Sequence, residues 1–436
     1  MLLPELPYMT GKRRIPHNKI QTLEFRGLNL TNSAGDGEFV DTIGLQSAEY
    51  PYLTQIPART QVSGYTSPTD IYVWDRDLFV VDGTNLKKNG TVIGTVTAGQ
   101  KKMAVINTKL VIWPDKKYVD LTDDSLNTLG DVPDLDFICS SNNRIWGCNI
   151  ENNTIYASAL GDPTDFTTYG GDTGPYAVAV GSEGDFTGIC NYGGAVLAFK
   201  ENMLHKILGS YPSEYYMVDS PIYGVQKGSE RSLVIINNIL YYKGVYGVYQ
   251  YGGNQPVMVS YNLGNGIYTN AVAGTDGRKY YVNMADPAGS YHLYAYDLAH
   301  GLWLKEEDGR MTAITNLDRD VYFLKDGTMN MIGSGVDPSL EWYGEFAEKT
   351  EGIFSRKGYL KLLMRLDMTP GSKITVQAKE DRKPYRKIWQ QAATKKTTLL
   401  IPIRLGRCDR WQLKLEGIGE VVVRGIGREF VTGSEK

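Results

Sequence analysis

The sequence predicts an all-β protein, and three observations carry that prediction. Apolar residues fall at alternate positions or in runs of four to six, and long stretches at helical spacing are hard to find. The 48 glycines and 30 tyrosines fit many short strands joined by tight turns. A turn-then-strand signal also recurs along most of the chain.

The recurring unit opens with a polar turn and enters a strand of large apolar side chains. DRDLFVVDG starts at 75 and DRDVYFLKDG at 318, and between them lie NTKLVIWPD at 107, NNRIWGCN at 142, NYGGAVLAF at 191, NNILYYKG at 237 and DGRKYYVN at 276. The starts lie 32, 35, 49, 46, 39 and 42 residues apart, a mean of about 40, which is the length of a four-stranded propeller blade. Seven starts predict about seven blades, with six or eight as alternatives and a two-sheet sandwich as the competing architecture. Runs such as Val234-Ile235-Ile236 and Leu240-Tyr241-Tyr242 are apolar on both sides, as in sheets packed between neighbours.

After residue 340 the pattern changes. GSKITVQAKED, YRKIWQQA, TTLLIPIRLG and DRWQLKLEGIG alternate more regularly, with turns about every ten residues. The segment predicts a separate β-sandwich. The expected organisation is an N-terminal arm over 1–60 that packs on the sandwich or a neighbour, a propeller over 61–340, and a basic sandwich over 341–436.

Residues 350–436 hold 19 Lys and Arg against 9 Asp and Glu, whereas the other 349 residues hold 27 against 40. An acidic body thus carries a basic end, which suggests a surface for an acidic partner, protein or nucleic acid. The basic candidates for assembly or DNA contact are Arg382, Lys383, Arg386, Lys387, Lys395 and Lys396, interleaved with Tyr385 and Trp389. Lys12, Arg13 and Arg14 form a second patch. No apolar run approaches the twenty residues of a membrane span, and the N-terminal residues lack the pattern of a secretory signal. Cys139, Cys148, Cys190 and Cys408 are too scattered for a disulfide framework.

Enzymatic chemistry finds little support. The four histidines, His17, His205, His292 and His300, show no zinc spacing, and no GxSxG elbow marks a nucleophile. No catalytic residue, metal ligand or cofactor is expected. In IYASALGDPTDFTTYG, residues 155–170, Asp162 and Asp165 invite a catalytic or calcium reading, but a strand-ending turn capped by Asp162 is the simpler one.

FRGLN at 25, DGEF at 36, YPYL at 50, NNRIWG at 142, ALGDPTDF at 159 and the terminal RCDRWQLKLEGIGEVVVRGIGREFVTGSE together give the chain a resemblance to virion structural proteins of tailed bacteriophages. The nearest group is the tail nozzle, or packaged-DNA stabilisation, proteins of short-tailed phages. The resemblance implies a non-enzymatic subunit of a ring, commonly of six copies, at the DNA exit channel of the virion tail. Such a ring is assembled in the host cytoplasm, joins portal-adaptor or other tail proteins, touches DNA without sequence preference and opens for ejection. A tail-tip propeller that binds a host receptor or glycan is the first alternative, and a propeller glycosidase is the second.

Overall fold

A computed structural model describes residues 17–333, 335–395, 398–403 and 405–432. Its chain divides into two units: one takes residues up to 28, 32–56 and the chain from 336, and the other takes 29–31 and 57–335. Among the described residues the only helical elements are two short 3-10 turns, Glu230–Ser232 and Tyr261–Leu263.

The larger unit is a β-propeller of seven four-stranded antiparallel sheets. Blade 1 consists of Pro68–Trp74, Asp77–Asp82, Asn85–Lys88 and Thr91–Thr95. Blades 2 to 6 span 102–128, 137–179, 188–221, 234–258 and 269–308. Blade 7 takes three strands from 311–332, and its fourth is Arg59–Gln61, from the start of the chain. Pairing of Arg59 with Ile332 thus closes the circle between first and last blades.

Each of the seven sequence repeats is the turn into a blade's second strand. The turns need left-handed backbone, and the repeat supplies residues that tolerate it: Asn142 and Asn143 have φ of 49° and 54°, Asn237 and Asn238 50° and 62°, and Gly193 and Gly194 60° and 80°. The second strands are buried on both faces; Ala195–Phe199 and Lys279–Ala285 have no exposed residue. Successive side chains serve different neighbours, because strand residues alternate in direction. Phe79 and Val81 of blade 1 pack with Leu110 and Ile112 of blade 2, whereas Val80 packs with Ala313 and Leu324 of blade 7.

The polar residue that closes these apolar runs has its own task. In six of the seven blades it holds the loop entering the same blade. Asp82 accepts from the Ser67 and Thr66 amides, Asp115 pairs with Lys101 at 2.7 Å, and the Asn149 amide donates to the Asp134 carbonyl. The ammonium groups of Lys200, Lys243 and Lys325 bond Ser182 O, Gln226 Oε1 and Asp308 O.

The smaller unit contains two large antiparallel sheets, besides a two-stranded one of Leu45–Gln46 and Thr54–Gln55. One orders the strands His17–Thr22, Val421–Thr432, Lys357–Met368 and Thr398–Pro402. The other orders Phe39–Ile43, Glu341–Phe346, Trp411–Ile418, Lys373–Glu380 and Arg386–Ala392. Residues 17–61 are therefore not an arm laid over a finished domain. They give an edge strand to each sheet of the sandwich and the closing strand to the propeller, and the units meet in sequence at 335/336. A part-buried ion network fixes this N-terminal segment: Arg428 forks onto Glu351 at 2.7 Å through both Nε and Nη2, reaches Asp36 at 3.1 Å, and Asp36 also pairs with Lys349. Burial opposes ionisation of Asp36, but Lys349 and Arg428 outweigh it and hold its carboxyl at about 2.

Candidate functional site

The propeller axis is the first place to look for a ligand, and its first strands enclose a cavity of about 550 Å³. Its walls mix apolar side chains, Tyr72, Met103, Phe137, Ile189 and Ile314 among them, with charged ones from Asp70, Lys102, Glu230 and Arg231. The 3-10 turn Glu230–Ser232 crosses this space from blade 5. Arg231 grips Asp70 of blade 1 with both terminal nitrogens, at 2.6 and 2.7 Å, and Lys102 of blade 2 meets Glu230 at 2.6 Å. Asp70 is fixed in turn by the Ile71 and Lys101 amides. Burial alone would lower the Arg231 pKa and raise that of Glu230, but each partner's charge reverses the direction. The turn is a bolt across the axis.

The face formed by the loops entering each blade carries a second cluster, in blade 4. Ser182 Oγ lies 2.8 Å from His205 Nε2, and His205 Nδ1 lies 2.6 Å from Asp219 Oδ1. The His205 side chain is wholly buried, edge-on to Phe186. This is the contact order of a hydrolytic relay, and it supplies the histidine partner that sequence spacing did not reveal. The serine belongs to a loop that Lys200 pins through the Ser182 carbonyl. A cavity of about 560 Å³ adjoins it, with Thr187, Lys200 and Lys227 in its wall.

On the opposite face, the loop between the third and fourth strands of blade 3 contains the stretch that invited a catalytic reading. Asp162 accepts from the Thr164 amide and hydroxyl, and Asp165 from the Thr167 and Thr168 amides. The latter bonds hold the Asp165 carboxyl below its usual range. Both acids are engaged as turn caps. Arg144, fully buried, donates to the carbonyls of Ser158 at 2.7 Å, Gly174 at 2.5 Å and Asp172 at 2.7 Å.

The basic candidates fall on the sandwich. Arg382 and Lys383 occupy the turn after Lys373–Glu380, and Arg386 and Lys387 begin the exposed edge strand Arg386–Ala392. Lys383 pairs with Glu380 at 2.8 Å, and Lys387 donates to Gln390. Lys395 is exposed in the link to Thr398–Pro402, the edge strand of the other sheet. Leu400 of that strand is 59% exposed and lies opposite Leu363, 38% exposed. Lys12, Arg13, Arg14 and Lys396 lie outside the described residues.

Among the described residues no three His, Cys, Asp or Glu side chains converge as metal ligands, all four cysteines are free thiols, and no helix is long and apolar enough to cross a membrane.

No family model matches the chain, and no curated protein matches it. Its similarity is to solved β-propellers. The WD40 repeats of RRP9 are 9% identical, with a TM-score of 0.43 over 64% of this chain and 99% of that one. U3-55K is 10% identical, with a TM-score of 0.43 over 64% and 98%. Raptor of Chaetomium thermophilum is 10% identical, with a TM-score of 0.44 over 64% and 29%.

Proposed function

We propose that the chain is a structural subunit of a bacteriophage tail, a nozzle-like ring protein that retains packaged DNA at the exit channel and opens for ejection. The observation that carries this reading is the edge strand Arg386–Ala392, solvent-exposed and basic at its start, within a C-terminal segment, 350–436, that has ten excess positive charges in a chain whose other 349 residues carry thirteen excess negative ones. Among the described residues this strand lies at the end of its sheet, beside Lys373–Glu380, and such an edge offers backbone donors and acceptors to another chain. Opposite charge on the rest of each copy favours heterologous, head-to-tail contacts, which close into rings. The bolted axis agrees with this role, since DNA then travels along the lumen of the ring and not through any one propeller.

Size-exclusion chromatography with multi-angle light scattering on the purified full chain tests the reading. The expected species is a closed ring of about six copies, and Arg386→Glu with Lys387→Glu shifts it to monomers without unfolding the chain. A wild type that stays monomeric at tens of micromolar, or a double variant that forms the same ring, would count against the proposed interface.

A further inference from the structure

The end loop of blade 3 and the corresponding loop of blade 4 flank an open cleft of about 370 Å³, within the size range of small-molecule sites. Its wall includes Tyr169, Tyr176, Pro175, Pro212, Asp172 and Ser213. Tyr169 is 61% exposed. Tyr176, in the same wall, is held by packing: it is edge-on to Tyr215 at 5.1 Å, which is edge-on to Trp146 at 5.2 Å. Tyr211 and Tyr216, 44% and 57% exposed, flank the same blade-4 loop.

The pocket is built before any ligand arrives. The three carbonyl bonds from Arg144 draw the tip of the loop around a buried guanidinium, and the Leu160 amide donates to Thr173 O across its neck at 2.8 Å. Gly174 packs so close to Gly170 that an added Cβ would lie 2.5 Å from its carbonyl oxygen. Asp172 is bridged to the blade-4 loop by the Ser213 hydroxyl at 3.2 Å, and its side chain lines the pocket with acceptor capacity to spare.

An exposed tyrosine ring, a second aromatic wall and one carboxylate in a small rigid cleft form a set suited to a sugar: C–H faces pack on the rings and vicinal hydroxyls donate to the carboxylate. We infer that this pocket is a saccharide-binding site for one or two neutral hexose units, in which Tyr169 is the stacking platform and Asp172 the hydroxyl acceptor. The size of the cleft favours a sugar over a protein partner, which would need a far larger face. The inference is independent of ring assembly.

Saturation-transfer NMR on the full chain tests it, with maltose, cellobiose, lactose and N,N′-diacetylchitobiose as probes at millimolar concentration. Transfer to at least one probe is expected, reduced tenfold or more by Tyr169→Ala and by Asp172→Asn, with unchanged melting temperatures. Tyr246→Ala, which removes an exposed tyrosine outside the pocket, should leave the transfer intact. Absence of transfer to every probe, or transfer that survives both pocket variants, overturns the proposal, the former in favour of a protein-contact surface. Ring size measured on the same samples separates this result from the fate of the assembly reading.

Discussion

Lys243 shows how costly a single side chain in this fold can be. It is 1% exposed, and its ammonium is held by Gln226 Oε1 and the Gly244 carbonyl, with no carboxylate of the described residues bonded to it. Burial pushes its pKa from 10.5 down to about 8, which the charge of Glu201 only partly offsets. Below pH 8 both folded and unfolded chains carry the charge, so folding bears the whole cost of burying it. Between about 8 and 10.5 the unfolded chain binds the extra proton, and stability therefore rises with pH. Relative to Lys243→Met, the wild type should gain about 3 kcal/mol over that range in urea titrations. A flat difference would show that the ammonium is solvated as the protein stands. Asp36 runs in the opposite sense: with its carboxyl at about 2, the stability it gives is complete above its usual 3.8 and is lost as pH falls through 2.

At the scale of elements, the turns were the most legible part of the sequence. Asn142-Asn143, Asn237-Asn238 and Gly193-Gly194 announce left-handed backbone, and the strand after each turn is a run that only two-sided burial explains. The loops between blades were less legible, because their partners are set by strand register and not by spacing. Ser182, His205 and Asp219 are separated by 23 and 14 residues and come from a loop and two different strands. Arg144 likewise finds its three carbonyls 14 to 30 residues downstream. The blade-4 relay tests whether such a constellation is scaffold or chemistry. As scaffold, Ser182→Ala leaves a buried ring nitrogen without its partner and costs about 1–3 kcal/mol, and a fluorophosphonate probe labels neither protein. Labelling of the wild type that disappears in the variant would make Ser182 a nucleophile and refute the non-enzymatic reading.

For the whole molecule, the N-terminal segment is the part that pattern alone misjudged. Its strands are short and their partners lie at the far end of the chain, His17 opposite Val431 and Phe39 opposite Phe346. Such non-local pairing leaves no periodic trace. Removal of residues 1–56 should strip one edge strand from each sheet of the sandwich yet keep Arg59–Gln61 in blade 7. Hydrogen exchange is then expected to accelerate across 341–432 while 311–332 stays protected. Equal loss in both regions would mean that the two units fold as one cooperative body. The closure also has a meaning in time. As the chain leaves the ribosome, the strands His17–Thr22 and Phe39–Ile43 wait through the synthesis of all seven blades before their partners exist, so the sandwich is the last part of the subunit to form. A truncated translation product has a nearly complete propeller but no finished sandwich. If rings assemble through that domain, unfinished chains are excluded from them without a separate proofreading factor.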